Sequence, residues 1–163
     1  MYFISNGVGF FMRAYEFFLD ILFPLDPEVR RLEQMTPGDL STSARHLESG
    51  REIPESIILF EYKDHLVRTA IREVKFRGNR TIARLLGTLL RDTLMAELTD
   101  LKAFKNFKAP LLVSVPLTKR AYRTRGWDQC HLLLEEVIHV ADDMGIQVHL
   151  DALRKIRETE DQV

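Results

Sequence analysis

A cluster of side chains suited to phosphate follows the apolar run Leu111–Val115. Arginine forks match phosphate oxygens in pairs, and lysine adds a point charge. Glycine permits close approach of the backbone, and a helix that begins after Asp128 would add N–H donors and the positive end of its dipole. The segment Pro116–Gln129 is therefore predicted to bind phosphate, and its candidate binding residues are Lys119, Arg120, Arg123, Arg125, Gly126 and Gln129.

The same segment has two other interpretations. A basic loop can simply be solvated, and composition alone favours that interpretation. Tyr122 and Trp127 also interleave with the basic residues, and such a mixture can stack bases and bind the backbone of single-stranded DNA. Steep weakening with salt would favour nucleic acid, whereas saturable Mg²⁺-dependent binding would favour a small pyrophosphate.

The elements that must position this loop are predicted from hydrophobic periodicity. Apolar runs at Ile57–Tyr62, Leu111–Val115 and Ile146–Leu150 are typical of strands. Helical spacing of apolar residues predicts helices over 66–74, 82–94 and 129–144, with Asp100–Pro110 as a loop. Alternation of strands and helices favours a parallel α/β sheet, in which ligands sit beyond the carboxyl ends of the strands.

The first part of the chain is predicted to be an arm. Apolar residues between Phe10 and Leu22 recur at helical spacing, and charged residues interrupt the run, which argues against a membrane span. A short helix is expected at Pro27–Met35, followed by a polar linker. The expected organisation is an arm over 1–55 and an α/β domain over 56–163.

Net charge and cysteine content limit the partners and the compartment that are expected for this protein. The formal net charge is −1, so only local clustering argues for an anionic partner. The sole cysteine, Cys130, excludes an internal disulfide and a thiolate metal site, and it favours a cytoplasmic location.

Other chemistry-bearing residues are predicted to be structural. Cys130 has no evident base partner, and His131, His139 and His149 show no metal-ligand spacing with a carboxylate. The pair Asp142–Asp143 lacks the hydroxyl residues that a ribose-phosphate loop would need. No metal ligand and no catalytic residue is assigned.

The segment Val115–Gln129 resembles the "PVPLxxxRxxxRGFNQ" stretch of the ComF family of phosphoribosyltransferase-like competence proteins, with Trp127 in place of Phe and Asp128 in place of Asn. Leu22–Pro24 is similar to the family's "LLFP", Tyr62–Gly78 to its "Y…I…lKyxG" helix and Leu153–Gln162 to its "LxRxrxTxxQ". The resemblance gives Lys75 and Trp127 an accessory role.

The resemblance implies a fold and a set of ligands. The fold would be an incomplete type I phosphoribosyltransferase-like (Rossmann-like) parallel sheet with an N-terminal helical arm. The ligand would be phosphoribosyl pyrophosphate or another phosphate, with Mg²⁺ only if further C-terminal residues complete the site. DNA uptake is the family role that would fit single-stranded DNA.

Two departures from the family limit these expectations. The zinc-ribbon cysteines are missing, so no zinc is carried over, and the "DDxxTTG" phosphoribosyl pyrophosphate motif does not occur before Val163. The chain is therefore expected to be truncated and inactive alone. A three-stranded sheet would leave an open edge through which copies could self-associate.

Overall fold

The computed structural model describes residues 26–46, 56–105 and 108–156. The predicted helix between Phe10 and Leu22 lies outside these ranges. So do Leu22–Pro24 and the end of the "LxRxrxTxxQ" segment. The described helices are α1 (Pro27–Gln34), α2 (Pro37–Ser43), α3 (His65–Arg72), which continues into a π-helical turn (Glu73–Arg77), α4 (Arg80–Lys105), α5 (Lys119–Arg125) and α6 (Gln129–Ile138); the strands are β1 (Leu111–Leu112) and β2 (Gln147–Val148).

The predicted Rossmann-like α/β fold is wrong for the part of the chain that the structure describes. That part is mostly helical, and its sheet consists of β1 and β2 alone. The two strands are parallel, with Leu111 opposite Gln147 and Leu112 opposite Val148. The two segments that leave the strands are also joined, because the Ser114 hydroxyl donates to the carbonyl oxygen of Leu150 at 2.7 Å.

The strand predicted over Ile57–Tyr62 is absent from the structure. These residues are irregular, and Ile57 and Ile58 are exposed while Phe60 packs on the core. The β-propensity of a segment reflects how well its side chains fit a pleated surface. The segment forms a strand only when another strand lies beside it. Here only Phe60 of the run packs against the helical core.

Two capped helices open the described chain. Asp26 accepts a hydrogen bond from the backbone N–H of Glu28 at 2.9 Å, directly before Pro27. Thr36 and Asp39 form a capping box, in which each side chain accepts from the other residue's backbone N–H. This box starts α2, a helix that sequence analysis did not predict within the polar stretch.

The core lies where α1 and α2 meet α3 and the first half of α4. Leu32 and Leu40 are fully buried there beside Ala70 and Ile82. Val67, Ala70 and Val74 of the apolar face predicted for residues 66–74 are buried, whereas Ile71 is exposed. Gly78 ends the π-helical turn in the left-handed conformation (φ 62°). The domain boundary at residue 55 stays a prediction.

Helix α4 runs farther than predicted and packs along α6. It continues through most of the expected loop at Asp100–Pro110 and ends at Lys105. The sequence has no glycine or proline between Gly87 and Pro110 to stop it. Lys102 holds the far end of α4 in place by donating to the carbonyl oxygen of Met144 at 2.6 Å.

Helix α6 is shorter than predicted. It begins after the cap Asp128 as expected but ends at Ile138, and turns lead from there through Gly145 (φ 63°) to β2. No helix within the described ranges is long and apolar enough to cross a membrane.

Candidate phosphate-binding groove

The segment predicted to be a basic loop contains a helix, α5. Thr118 caps it, since its side chain accepts from the backbone N–H of Ala121 at 3.1 Å. Lysine, arginine and alanine are strong helix formers. Gly126 ends the helix with φ 82°, and its N–H donates to the carbonyl oxygen of Tyr122 at 2.8 Å. The role of Gly126 that the structure shows is to end α5.

One face of α5 lines a groove of about 500 Å³. Lys119, Tyr122 and Arg123 share this face because residues three and four apart are neighbours on a helix. The groove lies beyond the carboxyl ends of β1 and β2, since Ser114 and Leu150 from the two chain segments that leave the strands also line it.

The segment after β2 brings further charges to the groove. Arg154 and Lys155 line it together with Asp151, and Asp128 and His131 contribute from the start of α6. Sequence analysis did not select these residues as a site. The available signal was that Arg154 and Lys155 follow the second parallel strand much as Lys119 follows the first, and such segments meet at one edge of a sheet.

The start of α6 offers less to a phosphate than the sequence indicated. Asp128 accepts from the backbone N–H groups of Cys130 at 2.8 Å and His131 at 3.4 Å. These donors therefore already serve a carboxylate, and the negative charge of Asp128 stands at the positive end of the helix dipole.

Arg125 and Gln129 lie in a different place from Lys119 and Arg123. The Nη1 of Arg125 donates to the Oε1 of Gln129 at 2.9 Å, and its guanidinium carbon lies 5.7 Å from the centre of the Phe76 ring. The Nζ of Lys75 lies 5.0 Å from the same ring. Arg125, Gln129 and Lys75 are thus grouped around Phe76, and none of them lines the groove.

The remaining predicted residues are Arg120 and Trp127. Arg120 is exposed on α5. The Trp127 indole donates to the carbonyl oxygen of Val74 at 3.0 Å, and its ring lies against Gly78. Trp127 therefore joins α6 to the π-helical turn, and its packed ring is poorly placed to stack on a base.

Cys130 is half-buried and carries a poorly ionised thiol. Burial raises its pKa above the ordinary 9.0, the charge of Asp128 raises it further, and a hydrogen bond from the backbone of Val115 lowers it. A thiol in this state is a weak nucleophile. No group of three His, Cys, Asp or Glu residues in the described ranges is arranged to hold a metal ion.

Comparison of the chain with protein families, with curated proteins and with solved structures finds no match. Function is therefore argued from the groove and its charges.

Proposed function

We propose that this protein binds a phosphate- or pyrophosphate-bearing ligand in the groove at the strand ends. One observation carries the proposal: two segments far apart in sequence bring Lys119, Arg123, Arg154 and Lys155 to line the same groove. Basic side chains that converge from two distant segments form an arrangement suited to the oxygens of a phosphate.

The size and charge of the groove support a small anionic ligand. A volume of about 500 Å³ is within the range of small-molecule sites, roughly 300–1,000 Å³. The four basic residues outnumber Asp128 and Asp151, so the lining carries a positive formal charge. The two arginines can each place a fork of N–H donors on phosphate oxygens.

The resemblance of Val115–Gln129 to the ComF segment supports phosphoribosyl pyrophosphate as the first ligand to test. We propose binding and not transfer, because the predicted transferase fold is not the one observed in the described residues. The described residues do not fit a metal site held by the protein alone, so no step is assigned to Mg²⁺.

Single-stranded nucleic acid is the second candidate ligand. The observation that favours it is Tyr122, which is 54% exposed and lines the groove beside Arg123. An exposed phenol ring next to a guanidinium can stack a base while the cation holds the neighbouring phosphate. Trp127 does not add to this surface, because its ring is packed.

We also propose a cytoplasmic location, which the single cysteine and the lack of a disulfide framework support.

The proposal is tested by calorimetric titration of the full chain with phosphoribosyl pyrophosphate and inorganic pyrophosphate, each with and without Mg²⁺. We expect Arg123→Gln and Arg154→Gln each to weaken binding by about tenfold or more, because each removes charged hydrogen bonds to the ligand. Arg68→Gln is the matched control, since Arg68 is exposed on α3 and does not line the groove. It should leave affinity unchanged.

Three outcomes would change or overturn this proposal. Tight binding of a single-stranded oligonucleotide, with affinity that falls steeply as salt rises, would replace the small ligand by nucleic acid. Equal losses of affinity in Arg68→Gln and Arg123→Gln would show that binding depends on the overall charge of the protein and not on the groove. Failure of all the probes to bind would overturn the proposal.

A further inference from the structure

A second pocket, with none of the groove's lining residues, lies between the start of α1 and one face of α3 and the π-helical turn. Its volume is about 310 Å³. Thr69, Glu73 and Phe76 line it and follow one another at helical spacing, so a single face of the helix forms one wall. Asp26, the cap of α1, and Val29 of α1 also line it.

Glu73 is the unusual residue of this pocket. Its side chain is only 10% exposed, and in the described residues its carboxylate has one partner, Arg77, at 3.3 Å from Nη1 to Oε1. Arg77 itself is 62% exposed. Among the described residues no buried side-chain oxygen lacks a hydrogen-bond partner, so the Glu73 oxygens remain accessible from the pocket, and a carboxylate has lone pairs for several donors. The pocket thus presents an acceptor with capacity for a further donor.

The other walls of the pocket offer an apolar surface and an opposite charge. Phe76 supplies the apolar surface, because it is 57% exposed whereas Val29, also in the lining, is only 1% exposed. Arg72 is exposed at the rim, and in the described part of the chain its guanidinium makes no hydrogen bond or ion pair. A ligand here would meet a nearly buried carboxylate, an aromatic ring and a guanidinium.

We propose that this pocket binds a free α-amino acid with an aromatic side chain. The ligand's ammonium group would donate to Glu73, which supplies the charge and the acceptor capacity that an ammonium needs. Its carboxylate would accept from Arg72, whose fork matches two carboxylate oxygens. Its ring would lie against Phe76, beside the Lys75 Nζ and the Arg125 guanidinium carbon, which are 5.0 and 5.7 Å from the centre of the same ring; aromatic pairs gain beyond simple burial. A simple cation would be opposed by Arg72 and Arg77, and a simple anion by Glu73 and Asp26.

The ligand series separates the three contacts. The full chain is titrated with L-phenylalanine, with phenethylamine, which lacks the carboxylate, and with N-acetyl-L-phenylalanine, which lacks the ammonium charge. We expect L-phenylalanine to bind and each analogue to bind about tenfold or more weakly, since each loses a charged hydrogen bond. L-alanine should also bind more weakly, because it has no ring to pack on Phe76.

Variants then place the ligand in this pocket. Glu73→Gln keeps the shape of the side chain and removes its charge, and Arg72→Gln does the same for the guanidinium; both should weaken L-phenylalanine binding by about tenfold. Arg68→Gln, one turn earlier on the same helix, is the matched control and should bind as the natural chain does. A urea titration of each variant separates loss of the fold from loss of the ligand.

The proposal is overturned if L-phenylalanine does not bind, if it binds no better than both analogues, or if folded Glu73→Gln retains full affinity. Pyrophosphate titration of the same variants keeps the two sites apart. Glu73→Gln should leave that binding unchanged, and Arg123→Gln should leave amino-acid binding unchanged.

Discussion

The indole nitrogen of Trp127 donates a hydrogen bond to the carbonyl oxygen of Val74 at 3.0 Å. The contact brings the start of α6 against the π-helical turn, and the indole ring covers Gly78. Because Trp127 directly follows Gly126, the end of α5 is fixed to the helical core by the same side chain. The groove at the strand ends is therefore positioned by a contact outside it, because Trp127 does not line the groove.

Gly78 is predicted to be essential to this contact. A Cβ atom there would lie 2.9 Å from the Cδ2 of Trp127, and the residue has φ 62°. A left-handed conformation costs a residue with a Cβ about 1–2 kcal/mol. Gly78→Ala should lower the free energy of unfolding by that amount, and displacement of the indole ring should lower it further. Urea unfolding followed by circular dichroism measures the change.

Gly126→Ala is the matched control for that experiment. Gly126 also has a positive φ, 82°, but a Cβ atom there meets nothing within 4 Å. The free energy of unfolding of Gly126→Ala should therefore fall only by the backbone cost of about 1–2 kcal/mol. Equal losses at the two positions would show that the Trp127 ring does not depend on Gly78.

Gly87 is predicted to set the distance between α4 and α6. A Cβ atom at this position would lie 2.6 Å from the carbonyl oxygen of Leu133, which is backbone and cannot swing away. Alanine is the better helix former by about 1 kcal/mol, but overpacking typically costs about 1–3 kcal/mol. Gly87→Ala should therefore lower the free energy of unfolding, despite the gain in propensity.

Gly38→Ala provides the comparison for Gly87. The nearest atom to a Cβ at Gly38, the Oγ1 of Thr36, is 3.8 Å away, and the residue lies in α2. Its replacement should leave stability unchanged or raise it slightly. A stabilised Gly87→Ala variant would contradict the close approach of α4 and α6.

The capping box of α2 is predicted to make stability depend on acid. Hydrogen bonds from the Thr36 side chain and then from its backbone N–H lower the pKa of Asp39 below the ordinary 3.8. A lowered folded pKa means that this contribution is complete above the unfolded pKa and is lost as pH falls through the folded pKa. The free energy of unfolding should therefore drop less on acidification in Asp39→Asn than in the natural chain.

Thr36→Ala checks the cause of that dependence. It removes the larger of the two hydrogen bonds to Asp39, so it should also flatten the acid limb of the stability profile. Identical profiles for the natural chain and both variants, each measured by urea unfolding across the acid range, would argue against the box.

Cys130 is predicted to react slowly with alkylating reagents. Burial and then the Asp128 charge raise its pKa above 9.0, so little thiolate is present at neutral pH. Asp128→Asn removes the charge and can still cap α6, and it should speed alkylation by iodoacetamide. Unfolded protein should react faster than both, and a natural chain that reacts as fast as unfolded protein would contradict the burial of the thiol.

Among the described helices, local signals in the sequence predicted the positions of α1, α3, α4 and α6. Asp128 before a periodic run predicted the start of α6, and Gly78 was correctly predicted to stop the preceding helix. The capping box of Thr36 and Asp39 was equally readable, although it was overlooked within a polar stretch. These features depend on residues a few positions apart, so the sequence alone contains what decides them.

The candidate site was predictable only in part. Lys119 and Arg123 were recognised as phosphate-suited, but Arg125 has the same chemistry and lies beside Phe76. Which face of α5 lines the groove depends on where Trp127 packs. The hydrogen-bond partner of Trp127 is Val74, which is far away in the sequence.

By itself, the sequence determined that α6 begins after Asp128, that the π-helical turn ends at Gly78, and which side chains could meet a phosphate. Tertiary structure alone decided that Ile57–Tyr62 is not a strand and that Arg154 reaches the same groove as Arg123. The physical reason is that a helix satisfies its backbone hydrogen bonds within one segment, whereas a strand needs a partner from elsewhere in the chain. A groove, likewise, exists only after distant segments have been brought together.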